Sequence, residues 1–92
     1  MPWWPWGRAT RRPAVVVYTR EGCHACHEIQ ARLEAERLVV DFELTVIDID
    51  QDEGLKTLYD IEVPVVSIDG RVRFRGQINV VLLRRALRAA MT

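Results

Sequence analysis

Residues 14–33, AVVVYTREGCHACHEIQARL, decide the fold, because a strand pattern gives way to a helix pattern at a cysteine. Ala14 to Thr19 is a continuous, largely β-branched run, the kind expected of a strand buried on both faces. Glu21-Gly22 breaks it. Cys23 then opens a helical stretch predicted to reach about Leu38, with Ile29 and Leu33 continuing the face that carries Cys26.

Working outward, Phe42 to Ile49 alternates Phe42, Leu44 and Val46 with polar residues and reads as a second strand. Asp50-Gln51-Asp52-Glu53 is an acidic start for a short helix through Leu55, Leu58 and Tyr59. Val63-Pro64 introduces a third strand, Val65 to Ile68. Asp69-Gly70 signals a tight hairpin, with Arg71 to Arg75 returning and Gly76 ending the strand. Asn79 can cap a last helix from Val80 to about Ala90, for which Val81, Leu82, Ala86 and Ala89 are the expected buried side. A strand–helix–strand start implies a parallel pair with a right-handed crossover, and the late hairpin adds an antiparallel partner. The order β-α-β-α-β-β-α predicts an α/β protein, a mixed four-stranded sheet with helices on both faces. That is the thioredoxin fold.

Ninety-two residues make one domain, here 14–92, preceded by a Trp/Pro/Arg-rich tail over residues 1–13. Trp3, Trp4 and Trp6 of that tail suit covering an apolar edge, anchoring at a membrane interface or binding a partner. The formal net charge is zero, which argues against a dedicated nucleic-acid binder. The charge is nevertheless uneven: Glu28 to Glu62 holds eleven of the thirteen acidic residues and three basic ones. That block reads either as solvated surface or as one pole of a surface that orients a protein partner. No apolar run is long enough to span a membrane, and the N-terminus lacks a secretory pattern. Two cysteines without such a signal predict a reducing, cytoplasmic setting in which the pair is catalytic or metal-binding.

Cys23-His24-Ala25-Cys26 directly after a strand and at the start of a helix is a specific context for thiol chemistry. A separation of three puts both sulfurs on one helix face, close enough to bridge. The first sulfur meets unpaired backbone N–H groups and the positive end of the helix dipole, which favour the nucleophilic thiolate. Cys26, one turn inward, is placed to resolve a mixed disulfide. His24 between the cysteines can support the Cys23 thiolate, and His27 on the same helix face can relay a proton; each also reads as a solvated helix histidine. The motif also satisfies C-x-x-C-H, the haem-attachment pattern, but strands crowd both its sides. Zinc or an iron–sulfur cluster on the same side chains would need a ligand set that no second Cys/His cluster supplies, although a cluster shared between two chains remains open. No metal is assigned. Pro64 at a strand entry reads as an ordinary trans residue, or as a cis proline that frees the Val63 backbone to pair with an extended substrate.

Together these residues resemble the glutaredoxins, and most closely the small bacterial glutaredoxin-like proteins, over about Ala14 to Ala90. The resemblance rests on Tyr18-Thr19-Arg20-Glu21-Gly22-Cys23, Cys26, Val46-Ile47-Asp48-Ile49-Asp50, Val63-Pro64, and Asp69-Gly70 followed by Gly76. It implies a dithiol oxidoreductase in which Cys23 attacks, Cys26 resolves and forms a disulfide with it, and Pro64 is the cis proline. It makes Arg20 a contact for a glutathione carboxylate, with Val63, Gly76 and Asn79 completing the substrate site. Three positions depart from the pattern. His24 replaces a proline, Arg75-Gly76 stands for a Gly-Gly pair, and Asn79-Val80 stands for an acidic pair at the glutamyl end. The expectation is therefore no resident cofactor, glutathione at most as a weak co-substrate, and protein or small-molecule disulfides as substrates. A dithiol reductant or reductase would regenerate a monomer. The alternatives are a metal or iron–sulfur carrier on the same cysteines and a redox-inert adaptor that keeps the fold.

Overall fold

The structure, a computed structural model, describes residues 12–90. Strand β1 (Ala14–Thr19) leads through a turn into α1 (His24–Glu36), which returns to β2 (Glu43–Asp48). A single 3-10 turn (Ile49–Gln51) precedes α2 (Glu53–Tyr59), and another (Asp60–Glu62) precedes β3 (Val65–Ile68). β4 (Arg71–Arg75) and α3 (Val80–Ala90) complete the chain. The sheet order is β2-β1-β3-β4, with β1 parallel to β2 and antiparallel to β3, and β3 antiparallel to β4. This is the mixed α/β architecture expected from the sequence.

Two apolar clusters lie on opposite faces of that sheet. Val15, Val17, Val66 and Ile68 pack against Ile29 and Leu33 of α1 and Leu83 and Leu87 of α3. On the other face Val65 packs with Ile49 and Tyr59, and the Tyr18 ring lies with its centroid 4.8 Å from that of Tyr59. The strand buried on both faces is β3, all four of whose residues are buried. β1, expected in that role, buries Val15 and Val17 but leaves Val16 and Tyr18 half-covered, because the short α2 shields its face incompletely. The Asp69-Gly70 hairpin forms as expected, both residues having positive φ (52° and 84°), as a tight turn between right-twisted strands requires. A bulge in β4 next to the Val66/Ser67 step shifts the register of the hairpin.

Three local expectations are corrected. α1 ends at Glu36, two residues early, and Leu38 is 89% exposed. β2 covers Glu43–Asp48; Phe42 is buried before the strand begins and Ile49 starts the 3-10 turn. The buried side of α3 is Leu83 and Leu87, with Ala86 and Ala90 packed beside them, whereas Val81, Leu82 and Ala89 face outward. Val80 to Leu83 are all apolar, so the start of the helix is apolar on every side and its face is set only by what recurs a turn later.

The tryptophan-rich tail up to Arg11 lies outside the described residues. Arg12 pairs with Asp41, and the buried Pro13 accepts a hydrogen bond from the Glu43 N–H, so the β1–β2 ladder begins one residue before β1. No helix of the described residues is long and apolar enough to cross a membrane.

Candidate active site

The register places the candidate residues together. Thr19 at the end of β1 lies opposite Asp48, and Tyr18 lies opposite Val65, which itself lies opposite Arg75. The 20–23 turn, the 48–52 segment, Val63-Pro64 and Gly76 therefore leave the sheet at the same end.

Cys23 ends the turn that follows β1. Gly22 takes φ 82°, which costs glycine nothing, and the Cys23 N–H closes the turn on the Arg20 carbonyl at 3.1 Å. The extended backbone of Cys23 makes it the N-cap of α1, and its Sγ accepts the Cys26 N–H at 3.1 Å. A sulfur thus occupies the place of a serine or aspartate oxygen in an ordinary cap. Cys26 is buried, 2% exposed, on the apolar stripe with Ile29 and Leu33; Cys23 is half-buried. The two Cα atoms are 5.2 Å apart and the sulfurs are at disulfide-bonding distance. His24 and His27 are both exposed on the first turns of α1. Cys26 and His27 also border a shallow cleft shared with Thr19, Arg20 and Asp48. Among the described residues no group of three or more Cys, His, Asp and Glu side chains comes together as a metal-ligand set.

The Val63–Pro64 peptide is cis, Pro64 is fully buried and Val63 is half-buried. The Gly76 N–H bridges both sides of it, donating to the Glu62 carbonyl at 3.1 Å and the Pro64 carbonyl at 2.8 Å. Gly76 takes φ 67°, so a side chain there would strain the turn. Arg75 forms an ion pair with Glu62 across the same segment.

Arg20 has partners within the chain. Its guanidinium donates to both carboxylate oxygens of Asp50, at 2.9–3.2 Å, and to the side chain and carbonyl of Asp60, at 2.8 and 3.2 Å. The guanidinium holds the Asp50 carboxyl below its ordinary range, chiefly through these hydrogen bonds. Asn79 is likewise engaged: its Oδ1 accepts the N–H groups of Val81 and Leu82, at 2.9 and 3.2 Å, capping α3. The sequence marked Arg20 as a carboxylate ligand but gave no hint that Asp50 and Asp60 supply the carboxylates.

A larger cleft, of about 540 Å³, runs between α1 and the 76–80 segment. Its α1 wall is Ala25, Glu28, Ile29 and Arg32, a stripe at helical spacing that starts between the two cysteines. Sequence reasoning named Gly76 and Asn79 on the opposite wall and missed Glu28 and Arg32. As exposed charges on a helix they carry no local sign of the segment that faces them.

A family model described as a glutaredoxin-like domain (DUF836) matches residues 14–88. A protein of Nitrosomonas europaea solved by solution NMR is similar, with 34% identity, a TM-score of 0.74, and coverage of 84% of this chain and 93% of that one. A structural-genomics target from X. campestris follows the chain with 28% identity and a TM-score of 0.67, over 82% of this chain and 96% of that one. A thioredoxin variant from Halobacterium salinarum, 17% identical, shares the fold with a TM-score of 0.69 over 91% of this chain and 79% of that one. No curated protein matches the chain.

Proposed function

The chain belongs to the glutaredoxin-like (DUF836) family, and on that premise we propose that it is a dithiol oxidoreductase that reduces disulfides through Cys23 and Cys26. Family, fold and the close cysteine pair support a thiol-redox role in general. The observation that carries the finer reading is the asymmetry of the pair: Cys23 caps the helix with a backbone N–H directed at its sulfur, whereas Cys26 is buried.

That asymmetry divides the labour. In the reduced protein the Cys23 thiolate, favoured by the Cys26 N–H and the helix terminus, attacks a substrate disulfide R–S–S–R′. A Cys23–R mixed disulfide forms and R′S⁻ leaves, to take up a proton. The Cys26 thiol then loses its proton, and its sulfur attacks the Cys23 sulfur and expels RS⁻. Two electrons have passed to the substrate and the Cys23–Cys26 disulfide remains. A dithiol donor, itself oxidised to a disulfide, restores the starting state. His24 and His27, exposed on the same helix, supply protonatable groups beside this exchange. The Val63 backbone, next to the cis bond, is offered to an extended substrate chain.

Glutathione is a poor fit to this site. Arg20 and the Asn79 side chain already have partners, and no acidic pair meets the glutamyl ammonium. A thioredoxin-reductase-like or protein dithiol donor is the better reductant, in a cytoplasmic setting. The test is a Cys26→Ser variant challenged with a substrate disulfide: it accumulates one mixed disulfide on Cys23, detected by mass, while Cys23→Ser forms none. Equal dithiol turnover in both variants defeats the two-step scheme.

A further inference from the structure

We propose that the cleft between α1 and the 76–80 segment is a polypeptide subsite, and that Arg32 selects substrates with an acidic side chain about three residues from the reacting cysteine. This rests on the dithiol reading above and adds the substrate class.

The argument begins with length. From Ala25 to Arg32 the cleft follows α1 for seven residues, about 10 Å at 1.5 Å per residue. An extended chain rises about 3.3 Å per residue, so a ligand lying along this wall places about three residues beyond its sulfur before reaching Arg32. A tripeptide with a central cysteine has one residue on either side and ends short of it. The far part of the cleft therefore serves a longer chain.

Its chemistry points the same way. Ile29, Ile78 and Val80 line the cleft with partly or fully covered apolar surface, and Val81 and Leu82 stand outside it, 59% and 50% exposed. A charged tripeptide gains little from such a surface, whereas protein segments carry the side chains that cover it. Four of the nine lining residues are polar, Glu28, Arg32, Gln77 and Asn79, and the two charged ones stand in sequence on α1. Glu28 lies one turn beyond the cysteines and Arg32 the next, both exposed; among the described residues neither side chain makes a hydrogen bond or close ion pair, and the Arg32 charge acts at longer range on Glu36, whose carboxylate is held by Arg84. Glu28 repels an acid placed close to the reacting sulfur; Arg32 attracts one placed farther along. The α3 terminus does not compete for that acid, because Asn79 Oδ1 occupies the Val81 and Leu82 N–H groups.

The experiment uses two heptapeptides with a central cysteine carried as its mixed disulfide with 2-thiopyridine, one with Glu and one with Lys three residues away on both sides. Release of 2-thiopyridone by excess reduced full-length protein, in a single turnover, gives the second-order rate constant. The Glu peptide is expected to react roughly two- to fivefold faster, the size of an exposed ion pair, and the preference should vanish at about 1 M salt. Arg32→Gln should abolish the preference and Arg32→Glu invert it, while both variants attack the neutral 2,2′-dipyridyl disulfide at the wild-type rate. An unchanged preference in Arg32→Glu overturns the proposal. If no variant attacks even dipyridyl disulfide, the dithiol reading itself has failed. The cleft is then judged by binding alone, with serine replacing cysteine in the peptides. Amide shifts at Gln77 and Ile78 that favour the Glu peptide in the wild type but not in Arg32→Gln uphold it, and their absence overturns it.

Discussion

Cys23 is a helix cap and, in the proposed mechanism, the nucleophile, and the two roles would use the same interaction. The Cys26 N–H that a serine or aspartate would satisfy is directed at sulfur, so charge on that sulfur improves the cap as well as the chemistry. Cys26 has no such advantage, being buried among Ile29 and Leu33. Iodoacetamide added to the reduced protein at pH 7 should therefore modify Cys23 at least tenfold faster than Cys26, read by peptide mass after partial labelling; the reverse order would exchange their roles. Cys23 and Cys26 were legible because a three-residue spacing between a strand run and a helix stripe leaves few other arrangements. Glu28 and Arg32 were not, since exposed charges on a helix carry no sign of the segment that faces them. Asp52 offers a control at the same scale. Its Oδ1 accepts the Leu55 N–H at 3.1 Å, so Asp52→Ala should cost about 0.5–2 kcal/mol of stability in urea unfolding and leave Cys23 labelling unchanged.

Among the helices, α1 and α3 meet over one polar contact. Glu36 falls on the stripe Cys26, Ile29, Leu33, is 3% exposed, and accepts a hydrogen bond from Arg84 Nε at 2.9 Å. Its position on that stripe was the signal for an acid that needs a partner, and the partner lies 48 residues away, where no local pattern reaches. The Arg84 hydrogen bond, with Arg32 and Arg88 adding to it, holds the Glu36 carboxyl below its ordinary range despite burial. Because the folded state binds this proton less readily than the unfolded state, the contribution is complete above about pH 5 and disappears as the pH falls through the depressed folded value. Glu36→Gln should thus cost about 1–3 kcal/mol at pH 7, and the gap from wild type should narrow below about pH 4. A gap constant down to pH 2 would show that the charge is not what matters. The face of α3 is tested more simply. Leu87, fully buried, should cost about 2–5 kcal/mol on change to Ala, whereas Leu82→Ala should stay within about 0.5 kcal/mol. The sequence made the existence and start of α3 clear through Asn79 and the run from Val80. It left the face ambiguous because four consecutive apolar residues satisfy every face.

At the scale of the molecule, charge and topology combine at one end of the sheet. Of the described residues from Val63 onward, Asp69 is the only acid, while six arginines lie on β4 and α3; the acidic block lies on α1, β2, α2 and the turns around α2. Several arginines from outside reach into this acidic region, Arg12, Arg75 and Arg84 each to one acid and Arg20 to two. Arg20 leaves β1 and ties together Asp50, just after β2, and Asp60, just after α2, so one guanidinium links three stretches of chain that border the cysteines. This arrangement competes with the sequence expectation that Arg20 serves a substrate carboxylate, and the two make opposite forecasts. If Arg20 is chiefly a clamp, Arg20→Gln should speed amide hydrogen exchange in the 49–51 and 60–62 turns while leaving Val15–Val17 and Val65–Ile68 protected, since the sheet does not depend on it. The second-order rate of Cys23 with neutral and anionic small disulfides should then fall by a similar factor, because what is lost is the position of the surrounding turns. If Arg20 instead receives a carboxylate, the anionic disulfide alone should suffer, through KM and by about ten- to a hundredfold, with the turns as protected as before. The geometry favours the clamp: the Arg20 side chain is 28% exposed, donates to both oxygens of Asp50 and reaches Asp60 as well, and a ligand carboxylate would have to displace one of the two. Selective loss on the anionic substrate would return Arg20 to the substrate site.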